Sequence, residues 1–173
     1  MTKEMSVPNL HSPIIPGKSA AGYTLKSTLT SIFPDISTVE MWREELGQLG
    51  YVISNTDGWI RFLPKSLGKP GFRSGSHYFF GRGAVQLIFD KDDKLDSIGL
   101  GYGYKGLLFE KVSIGDRLSS VLEYFEIEYD PADEVHYPIG APLSHQIEFY
   151  AEEYPLSEVP DQRINAIFVK QLQ

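Results

Sequence analysis

Two stretches of this chain read alike at one spacing, and that limits the folds open to it. The first runs Tyr23-Thr24-Leu25-Lys26-Ser27-Thr28-Leu29-Thr30-Ser31-Ile32-Phe33. The second runs Val112-Ser113-Ile114-Gly115-Asp116-Arg117-Leu118-Ser119-Ser120-Val121-Leu122. Leu25 corresponds to Ile114 and Leu29 to Leu118, at an offset of 89 (114 − 25 and 118 − 29). Ile32 and Phe33 keep that offset with Val121 and Leu122. A self-match at a single spacing points to one supersecondary unit used twice. In each copy a short strand turns into a helix. Ser27 or Thr28 is the expected cap of the first, and Asp116 of the second, which spans Arg117 to Phe125 with Leu118, Val121, Leu122 and Phe125 inward.

The rest of the chain divides around these copies. Residues 1–19 hold Pro8, Pro13, Pro16 and Gly17 and read as an extended lead-in, with a short edge strand at Ile14-Ile15. Ser37 to Leu49 places Val39, Trp42, Leu46 and Leu49 at helical spacing and predicts an amphipathic helix stopped by Gly50. Strands are expected at Tyr51-Val52-Ile53 and Trp59 to Leu63, joined by the turn Asn55-Thr56-Asp57-Gly58. Residues 64–77 read as a loop, and Tyr78 begins another strand. Val85–Phe89 and Leu95–Leu100 alternate on both arms of the most secure hairpin. Glu126 to Tyr137 reads as a strand broken at Pro131, followed by strands at Gln146–Tyr150 and Ile164–Val169. The expected class is α+β: two tandem related units, each a short strand and helix followed by antiparallel strands, with the helices packed on the sheet. The boundaries are 1–19 for the lead-in, 20–108 for the first unit and 109–173 for the second.

Charge and composition exclude several function classes. The net charge is −7, from 16 basic and 23 acidic residues. A nucleic-acid binder needs a basic footprint, so the charge argues against nucleic acid, and none is expected as a partner. With no cysteine, disulfides, thiol catalysis and thiolate metal sites are out, and a reducing cytoplasm is the expected compartment. The N-terminus lacks the apolar run of a signal peptide, and no stretch approaches the roughly 20 apolar residues needed to span a bilayer, so no membrane partner is expected.

Motifs that could carry chemistry fall short of their patterns. Pro16-Gly17-Lys18-Ser19 echoes the end of a phosphate-binding loop, but Ser12 stands where that loop needs glycine. The run Gly99, Gly101, Gly103, Gly106 suits a bulged strand or close backbone approach better than a dinucleotide loop. Asp90, Asp92, Asp93 and Asp96 lack the glycine and the closing glutamate of a calcium loop. His11, His77, His136 and His145 include no pair at metal-binding helical spacing. No serine occupies a Gly-x-Ser-x-Gly elbow. Catalytic, cofactor and metal sites are therefore assigned to no residue.

One region is chemically lopsided. From Glu123 to Glu158 there are ten carboxylates and no Lys or Arg, with Tyr124, Phe125, Tyr129, Tyr137, Phe149, Tyr150 and Tyr154 among them. Aromatic anchors among carboxylates suit an interface for a basic protein. The plainer reading of the same residues is a solvated face with its aromatics turned inward. The candidate partner-binding residues are Tyr129, Asp133, Glu134, Tyr150, Glu152, Glu153 and Tyr154.

The second copy, Val112 to Leu122, with its Ile114-Gly115-Asp116 turn into a helix, resembles the opening of small bacterial repeat modules. These are the outer-membrane assembly lipoproteins of the SmpA/OmlA type and the β-lactamase inhibitory proteins. The hairpin Leu87 to Ile98 is similar to theirs as well. The first copy departs from the pattern, with Lys26 in place of Gly115 and Pro34 interrupting the helix, and the lipoprotein signal and cysteine are missing. In overall style the chain resembles bacterial immunity proteins that neutralise toxins from neighbouring cells. That resemblance implies a non-enzymatic, cytoplasmic inhibitor of a cognate, basic protein toxin, with the oligomeric state left open. Two alternatives stand beside it: a hydrolase using His136 or His145 with nearby carboxylates, and a structural adaptor subunit.

Overall fold

In the computed structural model, which describes residues 5–64 and 74–171, strand outweighs helix by 34% to 16%, so a sheet carries the fold. A small ribbon of β1 (Ser19–Ala20) and β2 (Tyr23–Thr24) comes first, then α1 (Leu29–Ile32), β3 (Glu40–Met41) and α2 (Leu49–Ser54). The first half continues with β4 (Trp59–Phe62), β5 (Ser74–Phe80), β6 (Val85–Asp90) and β7 (Leu95–Leu100). The second half supplies β8 (Ile127–Asp130), β9 (Val135–Pro138), β10 (Ile147–Tyr150) and β11 (Ala166–Lys170). Strands β3 to β11 form one nine-stranded sheet in the order β3-β4-β5-β6-β7-β11-β10-β9-β8. Among the described strands only the β3–β4 pair is parallel, so the protein is α+β with a large mixed sheet and few helices.

Two four-stranded meanders enter this sheet from opposite edges and meet where β7 pairs with β11. The period-2 alternation seen in the sequence sets which face is buried. Tyr78, Leu87, Ile98, Val169 and Ile147 lie side by side on five neighbouring strands, and all are fully buried. Irregular chain covers this face: Ile14, Tyr23, Leu25, Ile32, Phe33 and Val39 from one segment, Leu108, Val112, Leu118 and Val121 from another. The Phe33 ring stacks on Tyr78 at 4.5 Å and meets Trp59 edge-on at 4.9 Å, which fixes the end of α1 against the sheet. The glycine run serves close approach. A side chain at Gly99 would strike the Phe168 ring, and one at Gly106 would strike the Ser12 carbonyl.

Several local expectations are corrected. The helix expected from Ser37 to Leu49 does not form. In its place stand a 3₁₀ turn at Ile36–Thr38, strand β3, a second 3₁₀ turn at Glu44–Leu46 and only then α2. Pairing to β4 overrides the helical period: the Trp42 N–H donates to the Arg61 carbonyl at 2.8 Å. Val39 enters the core while Leu46 stays 43% exposed, so the apolar stripe never faces one way. Tyr51 to Ile53 belong to α2 rather than to a strand. Of the expected loop 64–77, residues 65–73 lie outside the described residues, and 74–77 belong to β5. The break at Pro131 is the turn of a hairpin, β8–β9. Asp116 does not cap a following helix. Its carboxylate accepts from the Ser113 N–H at 2.8 Å, and Leu118–Glu123 is a 3₁₀ helix that leaves Leu122 exposed.

The two similar stretches make matching backbone contacts. Lys26 N–H donates to Leu95 O at 2.8 Å and Leu95 N–H to Ser27 O at 2.9 Å. In the other half Gly115 N–H donates to Ile164 O at 2.8 Å and Ile164 N–H to Asp116 O at 2.9 Å. The bridges Thr28–Lys94 and Arg117–Arg163 repeat the correspondence. Lys26 adopts φ 71° where Gly115 adopts φ 93°. A left-handed lysine carries strain that glycine does not. Lys26→Gly should therefore raise stability by about 0.5–1 kcal/mol, and Gly115→Ala, whose new Cβ would meet nothing, should lower it by about 1 kcal/mol. Urea denaturation of the two variants checks the opposite signs.

Candidate functional site

Part of the acidic region gathers at one end of the β8-β9-β10 edge, while Glu126 sits at the other end of the β8–β9 hairpin, its carbonyl accepting from the Ile139 N–H. Antiparallel pairing of β9 with β10 sets the β8–β9 turn, which carries Asp133 and Glu134, beside the chain leaving β10, which carries Glu152, Glu153 and Tyr154. The Asp130 carboxylate accepts from the Ala132 N–H at 2.8 Å, and Glu134 adopts φ 57°, which together turn the hairpin. Asp133, Glu134, Glu152 and Glu153 are exposed, and Tyr154 is 54% exposed.

The pleat divides the seven candidates between two faces. Tyr129, His136 and Phe149 pair in register and share the core-facing side. Tyr150, the next residue along β10, turns to the other side and packs its ring on Phe168 at 5.1 Å. Tyr129 is half-buried against His136, with ring centres 4.9 Å apart. Partial burial, then the charges of Glu134, Glu153, the Tyr154 ring and Asp130, push the Tyr129 hydroxyl above its ordinary value. Burial, then Glu148 and Asp133, does the same at Tyr150. Glu134, Glu153 and Tyr154 thus lie near enough to act on the Tyr129 hydroxyl, and Asp133 near enough to act on Tyr150. Glu152 is exposed, and its backbone N–H donates to Gln162 Oε1 at 3.0 Å.

Nearby cations are engaged away from the two connections, some by carboxylates of the same acidic stretch, as where Lys111 pairs with Glu123. Lys170 pairs with Glu148 at 2.7 Å on the face opposite the core, Arg117 with Asp161 at 3.2 Å, and Arg163 donates to the Gly115 carbonyl at 2.8 Å. The carboxylates of the two connections are left to face solvent.

Two buried polar side chains hold this end in shape. Gln162 Nε2 donates to the carbonyls of Tyr154 and Val159, both at 3.0 Å, while its Oε1 holds the Glu152 N–H. His136, 1% exposed, lies 3.0 Å from the Tyr154 carbonyl through Nε2, which must carry the proton because a carbonyl only accepts. Sequence reasoning weighed His136 as an acid–base group and passed over Gln162. A glutamine in a loop gives no outward sign that it will be buried. His145 sits exposed in the 3₁₀ turn Leu143–His145. Among the described residues no group of three or more His, Cys, Asp or Glu could hold a metal ion, and no helix is long and apolar enough to cross a membrane.

A second concentration of polar atoms lies toward the opposite edge of the sheet. The Arg61 Nε, Ser76 Oγ and Tyr78 OH are buried without a hydrogen-bond partner. All three residues line one cleft of about 410 Å³.

Burial holds His136 below its ordinary 6.5, with the Tyr154 and Phe149 backbone opposing. The unfolded chain therefore takes up the proton first as pH falls. The stability gained by burying neutral His136 is complete above about 6.5 and drains as pH drops toward the lower folded-state value. His77, also held low by burial, adds a contribution of the same sign. His136→Phe should cost about 1 kcal/mol at pH 7.5 through the lost hydrogen bond and should flatten the loss that sets in below about pH 6.5. Denaturant midpoints on either side of that pH read both effects. No protein-family model, curated protein or solved structure matches this chain.

Proposed function

We propose that this chain is a non-enzymatic inhibitor that acts in the cytoplasm as an immunity protein, blocking a basic, cognate bacterial toxin. The acidic, aromatic end of the sheet would supply the contact surface. One observation carries the reading: the β8–β9 turn and the β10–β11 connection bring Glu134, Glu153 and Tyr154 within electrostatic reach of Tyr129, in a stretch of sequence, Glu123 to Glu158, that holds no Lys or Arg. Concentrated negative charge speeds encounter with a basic partner, and partly exposed tyrosines give apolar area at small entropic cost. Gln162 and His136 pin the Tyr154 carbonyl from two sides, so the loop is ordered before binding, which limits the ordering cost.

The scaffold reading belongs to the same proposal. Residues 20–108 and 109–173 are two related units following a lead-in over 1–19. The repeated contacts of Lys26 with Leu95 and Gly115 with Ile164 support this. So does the mirrored strand order about β7 and β11. A duplicated unit joined through its last strands makes a broad sheet with two similar ends, of which the second has become acidic.

The test begins with recovery of the bound partner from source cells and its identification. The purified partner is then titrated with the wild-type chain and with a variant carrying alanine at Tyr129, Asp133, Glu134, Tyr150, Glu152, Glu153 and Tyr154. The partner should be basic and lose its toxic activity on binding. Its association rate should fall as salt rises, and single changes at true anchors should cost about 2 kcal/mol or more. Undiminished binding by the sevenfold variant would remove this surface from the mechanism.

A further inference from the structure

We infer that the cleft at the β4–β6 end of the sheet is a binding site for a small monocarboxylate with an apolar tail. It is separate from the acidic end, which lies on the opposite half of the strand order.

The argument starts from an arginine in an apolar row. Arg61 pairs in register with Tyr78, and Tyr78 with Leu87, on the face that builds the core. A guanidinium placed there loses hydration, yet its Nε has no partner. Tyr78 is 0% exposed and Ser76 6%, and their hydroxyls approach each other without either making a well-aligned hydrogen bond. Native interiors rarely leave one such group unpaired, and three around a single cleft call for a common acceptor. All three are donors. Burial pushes the Tyr78 hydroxyl above its ordinary value, with Ser76 and Arg61 opposing and Asp93 adding to the rise. At neutral pH it remains protonated and able to donate. An anion is the ligand such a set accepts, and a planar carboxylate suits a guanidinium best.

The surroundings define the rest of the ligand. Leu29, Ile36 and Leu63 line the same cleft, so the anion should carry an apolar body. Asp90 and Asp93 stand at its border with one lysine, Lys91, whose ammonium pairs with Asp92 at 3.4 Å, and the two carboxylates disfavour a doubly charged group such as phosphate. Asp90 is fixed there, because its Oδ1 accepts from the N–H groups of Asp92 and Lys94 at 2.8 and 2.9 Å. Space for the ligand comes from the ladder itself. The β5–β6 register shifts between Ser74 and His77, beside Ser76. Such bulges interrupt pairing and re-aim side chains. A side chain at Gly75 would meet the Asp90 backbone, so this wall cannot be filled from within the chain without moving the strand.

Hexanoate serves as the probe, with hexanol, hexylamine and inorganic phosphate as controls, each titrated into the full chain by calorimetry and thermal unfolding. Hexanoate should bind saturably and raise the unfolding temperature, and the three controls should bind at least tenfold more weakly. Arg61→Met should weaken hexanoate at least tenfold, and Tyr78→Phe by several-fold. Tyr78→Phe also separates this site from a structural role: it removes an unpaired hydroxyl, so the free variant should be as stable as the wild type or more so. Should Arg61→Met fail to fold, Tyr78→Phe alone decides. Absence of hexanoate binding up to about 10 mM, equal binding of hexanol or phosphate, or unchanged hexanoate affinity in the variants would overturn the assignment.

Discussion

Strand β7 lies against β11 along four residue pairs, and everything else hangs on that seam. Leu100 faces Ile167 and Ile98 faces Val169, and all four side chains are buried almost completely. At about 2 kcal/mol for each buried aliphatic side chain, the seam is a large fraction of what a domain of this size needs. It also removes a hazard. Each meander alone would leave its last strand as an open edge, and joining the two pairs both edges at once. The remaining edges are β3, two residues long, and β8, which carries Glu128 and Asp130. A short edge and a charged edge both discourage further strand addition.

Because the seam fixes one half against the other, the two ends of the sheet are held apart and differ in chemistry. At one end carboxylates and tyrosines stand on two connections whose shape is kept by Gln162 and His136. At the other a guanidinium and two hydroxyls turn inward beside Leu29 and Ile36. The first arrangement suits long-range attraction in water, where charge steers encounter. The second suits short-range recognition of a small group taken out of water, where each hydrogen bond matters more.

Legibility in the sequence followed the range of the interactions. The β6–β7 hairpin could be read directly, because Val85, Leu87 and Phe89 alternate and the turn is local, although a register shift between Ile88 and Phe89, which sets Leu95 and Ile98 three residues apart on the buried face, could not. So could β10, within one residue at its start. The expected helix from Ser37 to Leu49 failed for a non-local reason: Glu40, Met41 and Trp42 are held by β4, which lies about 20 residues further along the chain. The acidic character of the region 123–158 was visible at once, but the pleat that sets Tyr129 and Tyr150 on opposite faces was not. Arg61 and Ser76 left no trace at all. An arginine in a strand reads as an outward residue until its neighbours are known, and Ser76 fell in a stretch rich in loop formers.

From the sequence alone came the α+β class, the similarity of Tyr23–Phe33 to Val112–Leu122, the hairpins with local turns and the one-sided charge, because periodicity and composition are properties of neighbours along the chain. Tertiary structure decided how the meanders join, that Lys26 and Gly115 share a left-handed turn, which buried side chains brace the acidic end, and that a cleft with unpaired donors exists. These depend on which distant strands pair and in what register. A shift of one residue would send every side chain of a strand to the other face.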